Sequence, residues 1–116
     1  PGATALITAL SGSGLPTNSF VFEGFIPRKS GKRRNFFLSL KDQQRTLMFY
    51  ESPRRLLSTL KDLLEVLGDR KIAIARELTK VFEEIIRGKT SEVIELLENK
   101  TIKGEITILV SGDPSS

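Results

Sequence analysis

The chain contains no cysteine, no histidine and no tryptophan, and only one methionine and one tyrosine among its 116 residues. Without cysteine there are no disulfides, thiolate nucleophiles or zinc ribbons, a pattern expected of a reducing cytoplasm. Without histidine a Ser-His-Asp triad cannot be assembled within the chain, any metal site would rest on carboxylates, and none is expected. No apolar run approaches the ~18–20 residues of a membrane span, and no signal-peptide pattern opens the sequence. What remains is 39% hydrophobic and 28% charged, with a formal net charge of +4. Those values describe a globular domain, and the length supports one core. Self-contained hydrolase chemistry is thereby disfavoured. The first residues, Pro1-Gly2, run straight into an apolar helical pattern, which reads as a piece trimmed from a longer protein at a former loop.

Periodicity lays out the elements. Ala5, Leu6, Ile7, Ala9 and Leu10 form a short apolar helix, with Thr4 as its cap and Gly12 and Gly14 at its end. Residues 20–25 read as a strand, residues 27–35 as a basic connection, and a helix begins near Ser30 and runs to about Asp42, with Phe36, Phe37 and Leu40 inward. The 46–50 stretch is apolar on both faces, as a strand inside a sheet is. Ser52 and Pro53 then open a helix whose Leu56, Leu60, Leu63 and Leu67 make one stripe, stopped by Gly68. Strands follow at 72–75, 83–87 and 105–110, with a helix from Thr90 or Ser91 to about Asn99 between the last two. The alternation predicts an α/β fold with a mixed, mostly parallel sheet flanked by helices. The 83–87 strand follows Ala75 too closely for a helical crossover, so one antiparallel pair is expected there.

Open α/β sheets take ligands beyond the carboxyl ends of their strands. Three loops qualify: Glu51-Ser52, Glu77-Leu78-Thr79 and Gly112-Asp113. The opening turn of the first helix, Gly2 to Ala5, adds free N–H groups and a positive dipole end. Ordinary loop and cap chemistry is the competing explanation of all four. Arg28, Lys29, Lys32, Arg33 and Arg34 bring five cations and no carboxylate into seven residues. They make a candidate RNA-binding cluster, against the alternative of a solvated loop. The neighbouring Phe25, Phe36 and Phe37 read as core rather than as base-stacking platforms. Glu83 and Glu84 point to opposite faces of a strand and read as solvated, not as an acid/base pair. Gly12-Ser13-Gly14 lacks the lysine and the helix start of a phosphate loop.

Five blocks, Pro1 to Leu6, Phe22 to Pro27, Phe49 to Arg55, Ala75 to Lys80 and Gly104-Glu105, together resemble the C-terminal half of the ribosomal RNA small-subunit methyltransferase I family, of the tetrapyrrole-methylase superfamily. The Phe-Tyr-Glu-Ser-Pro and Ala-Arg-Glu-Leu-Thr-Lys blocks are its specific part. The resemblance implies a C-terminal domain whose N-terminal partner domain is absent, S-adenosyl-L-methionine in the cleft between the two, and a homodimer in the cytoplasm. It implies methylation of a cytidine ribose 2′-hydroxyl in 16S rRNA of the small ribosomal subunit. Thr4, Ala5, Glu51 and Leu78 match cofactor-contacting positions, and Arg54 stands where the family usually has histidine. No catalytic residue is assigned; Glu51, Glu77 and Lys80 are candidate bases. A precorrin- or uroporphyrinogen-type tetrapyrrole methylase, and a non-catalytic RNA-binding or dimerisation module, are the alternatives.

Overall fold

A computed structural model of the chain describes residues 12–16, 19–77 and 83–113, with the side chains of Glu77 and Glu83 outside that description. Strand β1 (Phe20–Phe25) leads to helix α1 (Ser30–Ser39), then β2 (Thr46–Glu51) to α2 (Pro53–Leu67). Strands β3 (Lys71–Glu77) and β4 (Glu83–Lys89) follow, then α3 (Thr90–Leu97) and β5 (Glu105–Val110). The expected first helix lies outside the described residues. Helix α1 stops at Ser39, short of Asp42, and β4 runs two residues past the expected 83–87, through Gly88 to Lys89.

The five strands lie in the order β1-β2-β5-β3-β4. The mixed α/β sheet with helices is as the sequence predicts, but its neighbour pairs are not mostly parallel. Only β1 and β2 pair in parallel; β2–β5, β5–β3 and β3–β4 are antiparallel. The reason is the direct β3–β4 reversal. Helical crossovers still connect strands of one direction: β1 to β2, β2 to β3, and β4 to β5. After the reversal, β5 returns the opposite way and inserts between β2 and β3. Three like-directed strands are thus separated by one of opposite sense.

The three helices among the described residues pack on one sheet face. Phe37 of α1, the Leu56, Leu60, Leu63 and Leu67 stripe of α2, and Val93, Ile94 and Leu97 of α3 bury against Leu47, Phe49, Ile72, Ile74, Ile106, Ile108 and Val110. The even residues of β2 and odd residues of β5 look the other way. There Met48, Ala73, Ala75 and Leu109 meet Leu15 and Ile85. No helix among the described residues is long and apolar enough to cross a membrane.

Two helix starts are held by carboxylates, a role the sequence pattern does not assign to either. Ser52 occupies the N-cap position of α2, followed by Pro53, yet its hydroxyl makes no capping bond. Glu51 takes over, its Oε1 accepting the Ser52 N–H at 2.7 Å. At α3, Asp69 accepts both the N–H and the hydroxyl of Ser91, at 2.8 and 2.6 Å. Those bonds hold the Asp69 carboxyl below its ordinary pKa, with slight burial opposing and Lys89 assisting.

Candidate functional site

Antiparallel insertion of β5 decides which loops share an end of the sheet. Ile106 pairs with Glu51 and Glu105 with Glu77, so the start of β5 stands beside the carboxyl ends of β2 and β3. Gly112 and Asp113 therefore lie at the opposite end and leave the candidate site. That end is closed: the Asp113 N–H donates to the Gln43 carbonyl at 2.8 Å, and the Ser111 N–H to the Lys71 carbonyl at 2.9 Å. Arg70 clamps it further, donating to the carbonyls of Ser111 and Lys41. Burial lowers the Arg70 pKa while Asp113 and Asp42 oppose that shift.

At the carboxyl end of β2 a concavity of ≈ 230 Å³ opens between Phe25, Tyr50, Glu51, Ser52, Pro53, Gly104, Glu105 and Ile106. Its aromatic wall depends on a β-bulge. Phe22 pairs with Met48 but Gly24 with Phe49, which leaves Glu23 as the extra residue. Gly24 has φ +76°, in the left-handed region that glycine enters without a Cβ penalty. The extra residue returns Phe25 to the side of Phe22 and Tyr50. The Phe25 and Tyr50 rings lie 5.3 Å apart, and Phe22 and Tyr50 meet edge to face at 4.9 Å. Phe25 was expected in the core but is 73% exposed, because the bulge turns it to the outer side beside Tyr50. Gly104, with φ +89°, makes the turn that starts β5 on the other wall.

Glu51 reaches this concavity from β2, but its carboxylate is committed to α2. Besides the Ser52 N–H, it accepts the Thr59 hydroxyl at 2.7 Å and Arg55 Nε at 3.2 Å. Its two oxygens hold the helix start in place. Beside it the Ser52 Oγ is buried with no hydrogen-bond partner, a state that a polar ligand could relieve. Thr4, Ala5, Leu78 and Lys80 lie outside the described residues, as does the side chain of Glu77. Phe25, Tyr50, Pro53, Gly104 and Ile106 were not selected in sequence as site residues; the Phe-Tyr-Glu-Ser-Pro and Gly-Glu blocks that contain most of them were the available signal.

The basic cluster divides in the structure. Arg33 is 2% exposed and its Nε meets Asp62 Oδ2 at 2.8 Å. Its other nitrogens donate to the Arg28 carbonyl and the Ser58 hydroxyl. Arg33 is thereby a buried bolt between α1 and α2, not a surface contact for RNA. A cation at α1's inward face needs a buried acid, and α2 supplies one. Arg34 pairs with Asp62 and Glu65, with its side chain 47% exposed. Burial raises the Asp62 pKa, but hydrogen bonds from Ser30, Arg33 and Arg34 and the Arg33 charge outweigh it, leaving the carboxyl below its ordinary value. Arg28, Lys29 and Lys32 are exposed. They follow β1 directly and so stand at the same sheet end as the concavity. Glu84 is half-buried and paired with Arg76 and Lys100 at 3.6 and 3.1 Å, not freely solvated.

Residues 1–94 match the family model of the tetrapyrrole (corrin/porphyrin) methylases. The chain is 52% identical over 97% of its length to a protein named ribosomal RNA small subunit methyltransferase I from Thermotoga maritima, covering 50% of that protein. It is 50% identical, again over 97% of its length, to one of the same name from Halalkalibacterium halodurans, covering 39% of it. The chain thus spans half or less of the length of these relatives. Among solved structures it superposes on the methyltransferase CobJ with TM-score 0.67 and 20% identity, over 97% of this chain and 49% of that one. A cobalt precorrin-4 methyltransferase of cobalamin biosynthesis gives TM-score 0.62 and 14% identity, over 93% and 47%. At those identities the likeness is one of fold. The chain belongs to the tetrapyrrole (corrin/porphyrin) methylase family, alongside the proteins named ribosomal RNA small subunit methyltransferase I.

Proposed function

We propose that the chain is the C-terminal, cofactor-facing half of an S-adenosyl-L-methionine-dependent methyltransferase acting on a cytidine ribose 2′-hydroxyl in 16S rRNA. The observation that carries this reading is the 50–52% identity, across nearly the whole chain, to proteins named for methylation of ribosomal RNA of the small subunit. The concavity at the end of β2 suits part of such a cofactor. Phe25, Tyr50 and Ile106 offer apolar surface to an adenine face, and Ser52 Oγ an unused hydrogen-bonding group. At ≈ 230 Å³ it is smaller than the ~300–1,000 Å³ of pockets that enclose a ligand, so it acts as one wall of a larger site. The N-terminal domain of the same protein would supply the facing wall, and a homodimer is the assembly this arrangement fits.

When bound, the cofactor supplies an electrophilic methyl group on a sulfonium. The chain's own contribution is positioning. Glu51, pinned by Ser52, Arg55 and Thr59, fixes the start of α2 and with it the pocket wall, so the site needs little rearrangement. Arg28, Lys29 and Lys32 at the same sheet end neutralise phosphates and orient the RNA.

The reading is tested by incubating the full-length protein with methyl-labelled S-adenosylmethionine and small ribosomal subunits lacking the modification. Label in a cytidine ribose is expected. Label only on a nucleobase, or transfer to a tetrapyrrole and none to the subunit, would overturn it. Ser52→Ala adds a finer test. Removing a group that caps nothing leaves stability within about 0.5 kcal/mol, where an ordinary N-cap loses about 1. Loss of one neutral hydrogen bond to the cofactor weakens its binding about fivefold, readable by calorimetry.

A further inference from the structure

Next to the concavity, and sharing Pro53 with it, a second groove of ≈ 410 Å³ runs between the start of α2 and the segment joining α3 to β5. Its floor is apolar: Leu56 and Leu97 are almost wholly buried, and Leu57 and Ile102 are half-buried at its sides. Its charged lining consists of Arg54 and Lys100, with no acidic residue. Lys100 is partly compensated by Glu84 at 3.1 Å. Arg54 is exposed and makes no hydrogen bond or ion pair among the described residues. Lys103, exposed, lies one residue before the Gly104 turn. The groove therefore joins an apolar surface to a guanidinium at its edge that has no counter-charge among the described residues.

We propose that this groove is a nucleotide subsite: it takes one splayed-out nucleotide of the RNA beside the target, its base against Leu57 and Ile102 and its phosphate on Arg54. This rests on RNA being the substrate. Three observations single out that occupant. The volume lies in the range that holds a small ligand. The pairing of apolar floor with cationic rim matches a nucleotide, which carries an apolar ring face and an anionic edge. The contiguity at Pro53 sets it one step from the place proposed for the methyl donor. Unstacked bases in single-stranded segments are what proteins read in RNA, and arginine is suited to the phosphate by its planar fork of donors.

The experiment measures binding of a short fluorescent single-stranded oligoribonucleotide to the protein by anisotropy, across a salt series. Arg54→Glu and Thr101→Glu, both at exposed positions of the groove lining, are compared with Lys71→Glu at the opposite end of the sheet. Each groove variant is expected to lose about tenfold in affinity, and Arg54→Glu to lower the salt slope by about one. Lys71→Glu is expected to bind nearly as the parent does, and thermal melts to show all three folded. Equal weakening by Lys71→Glu would reduce the effect to net charge and overturn the subsite. So would unchanged binding by both groove variants, including the case in which they lose contact with a protein instead. If the parent protein binds RNA and these variants bind as well, the subsite alone fails. If the parent binds no RNA, the proposed function fails with it.

Discussion

Arg33 and Arg34 adjoin in sequence, yet one is buried against α2 and the other sits at the surface. Charge density along the chain cannot separate them; the helical phase of α1 does. Arg33→Ala would leave Asp62 buried with a smaller set of donors. Such a broken buried pair costs about 3–5 kcal/mol, to be read in urea or thermal unfolding. Arg28→Ala, at an exposed position, should change stability by less than about 0.5 kcal/mol. Asp62 also gives a pH signature. Its folded pKa lies below the unfolded value of about 3.9, so the folded state holds its proton less tightly. The resulting stability is present above about pH 4 and is lost as pH falls through the folded pKa. Asp62→Asn should therefore be less stable at neutral pH, because Arg33 loses its counter-charge. Its stability should also fall less steeply than the parent's between about pH 4 and the acid limit.

At the scale of elements, most of the architecture follows from local pattern. The leucine stripe of α2, the doubly apolar β2 and the Gly68 stop are strong signals, and each element among the described residues stands within a few residues of its expected bounds. The bulge in β1 was not legible, since Gly24 fits plain strand alternation as well as it fits an extra residue. Only the pairing with β2 shows the slip. Gly24→Ala places a Cβ in the left-handed region, costing about 1–2 kcal/mol. No neighbouring atom obstructs that Cβ, so the penalty is backbone strain rather than a clash. The variant should remain folded while Phe25 leaves Tyr50. Reduced cofactor affinity together with a change in the tyrosine near-ultraviolet circular dichroism would report that loss; an unchanged spectrum would show that the bulge does not set the aromatic wall.

Across the whole molecule the two ends of the sheet have different duties. One is stitched by Arg70, Asp113 and Ser111; the other carries both concavities and the exposed Arg28, Lys29, Lys32 and Arg54. Gly112 belongs to the stitched end, where a Cβ would run into the Gln44 carbonyl, a backbone atom with little room to give. Gly112→Ala should cost about 1–3 kcal/mol by overpacking, with RNA affinity intact under conditions where the protein is folded. Reversal of Arg28, Lys29 and Lys32 to glutamate should do the converse. Melting should hold while RNA affinity and its salt slope fall by the equivalent of several phosphate contacts.

The sequence by itself determined the α/β class, the order of the described helices and strands, the family resemblance and the candidacy of Glu51-Ser52, because these depend on periodicity, turn residues and short blocks. Tertiary structure alone decided that β5 inserts antiparallel between β2 and β3. That placement removed Gly112-Asp113 from the site and brought in Gly104-Glu105. It also decided which cations remain at the surface. Strand neighbours and buried partners are contacts between residues far apart in the chain, and local pattern carries no record of which distant segment satisfies a strand edge or a buried charge.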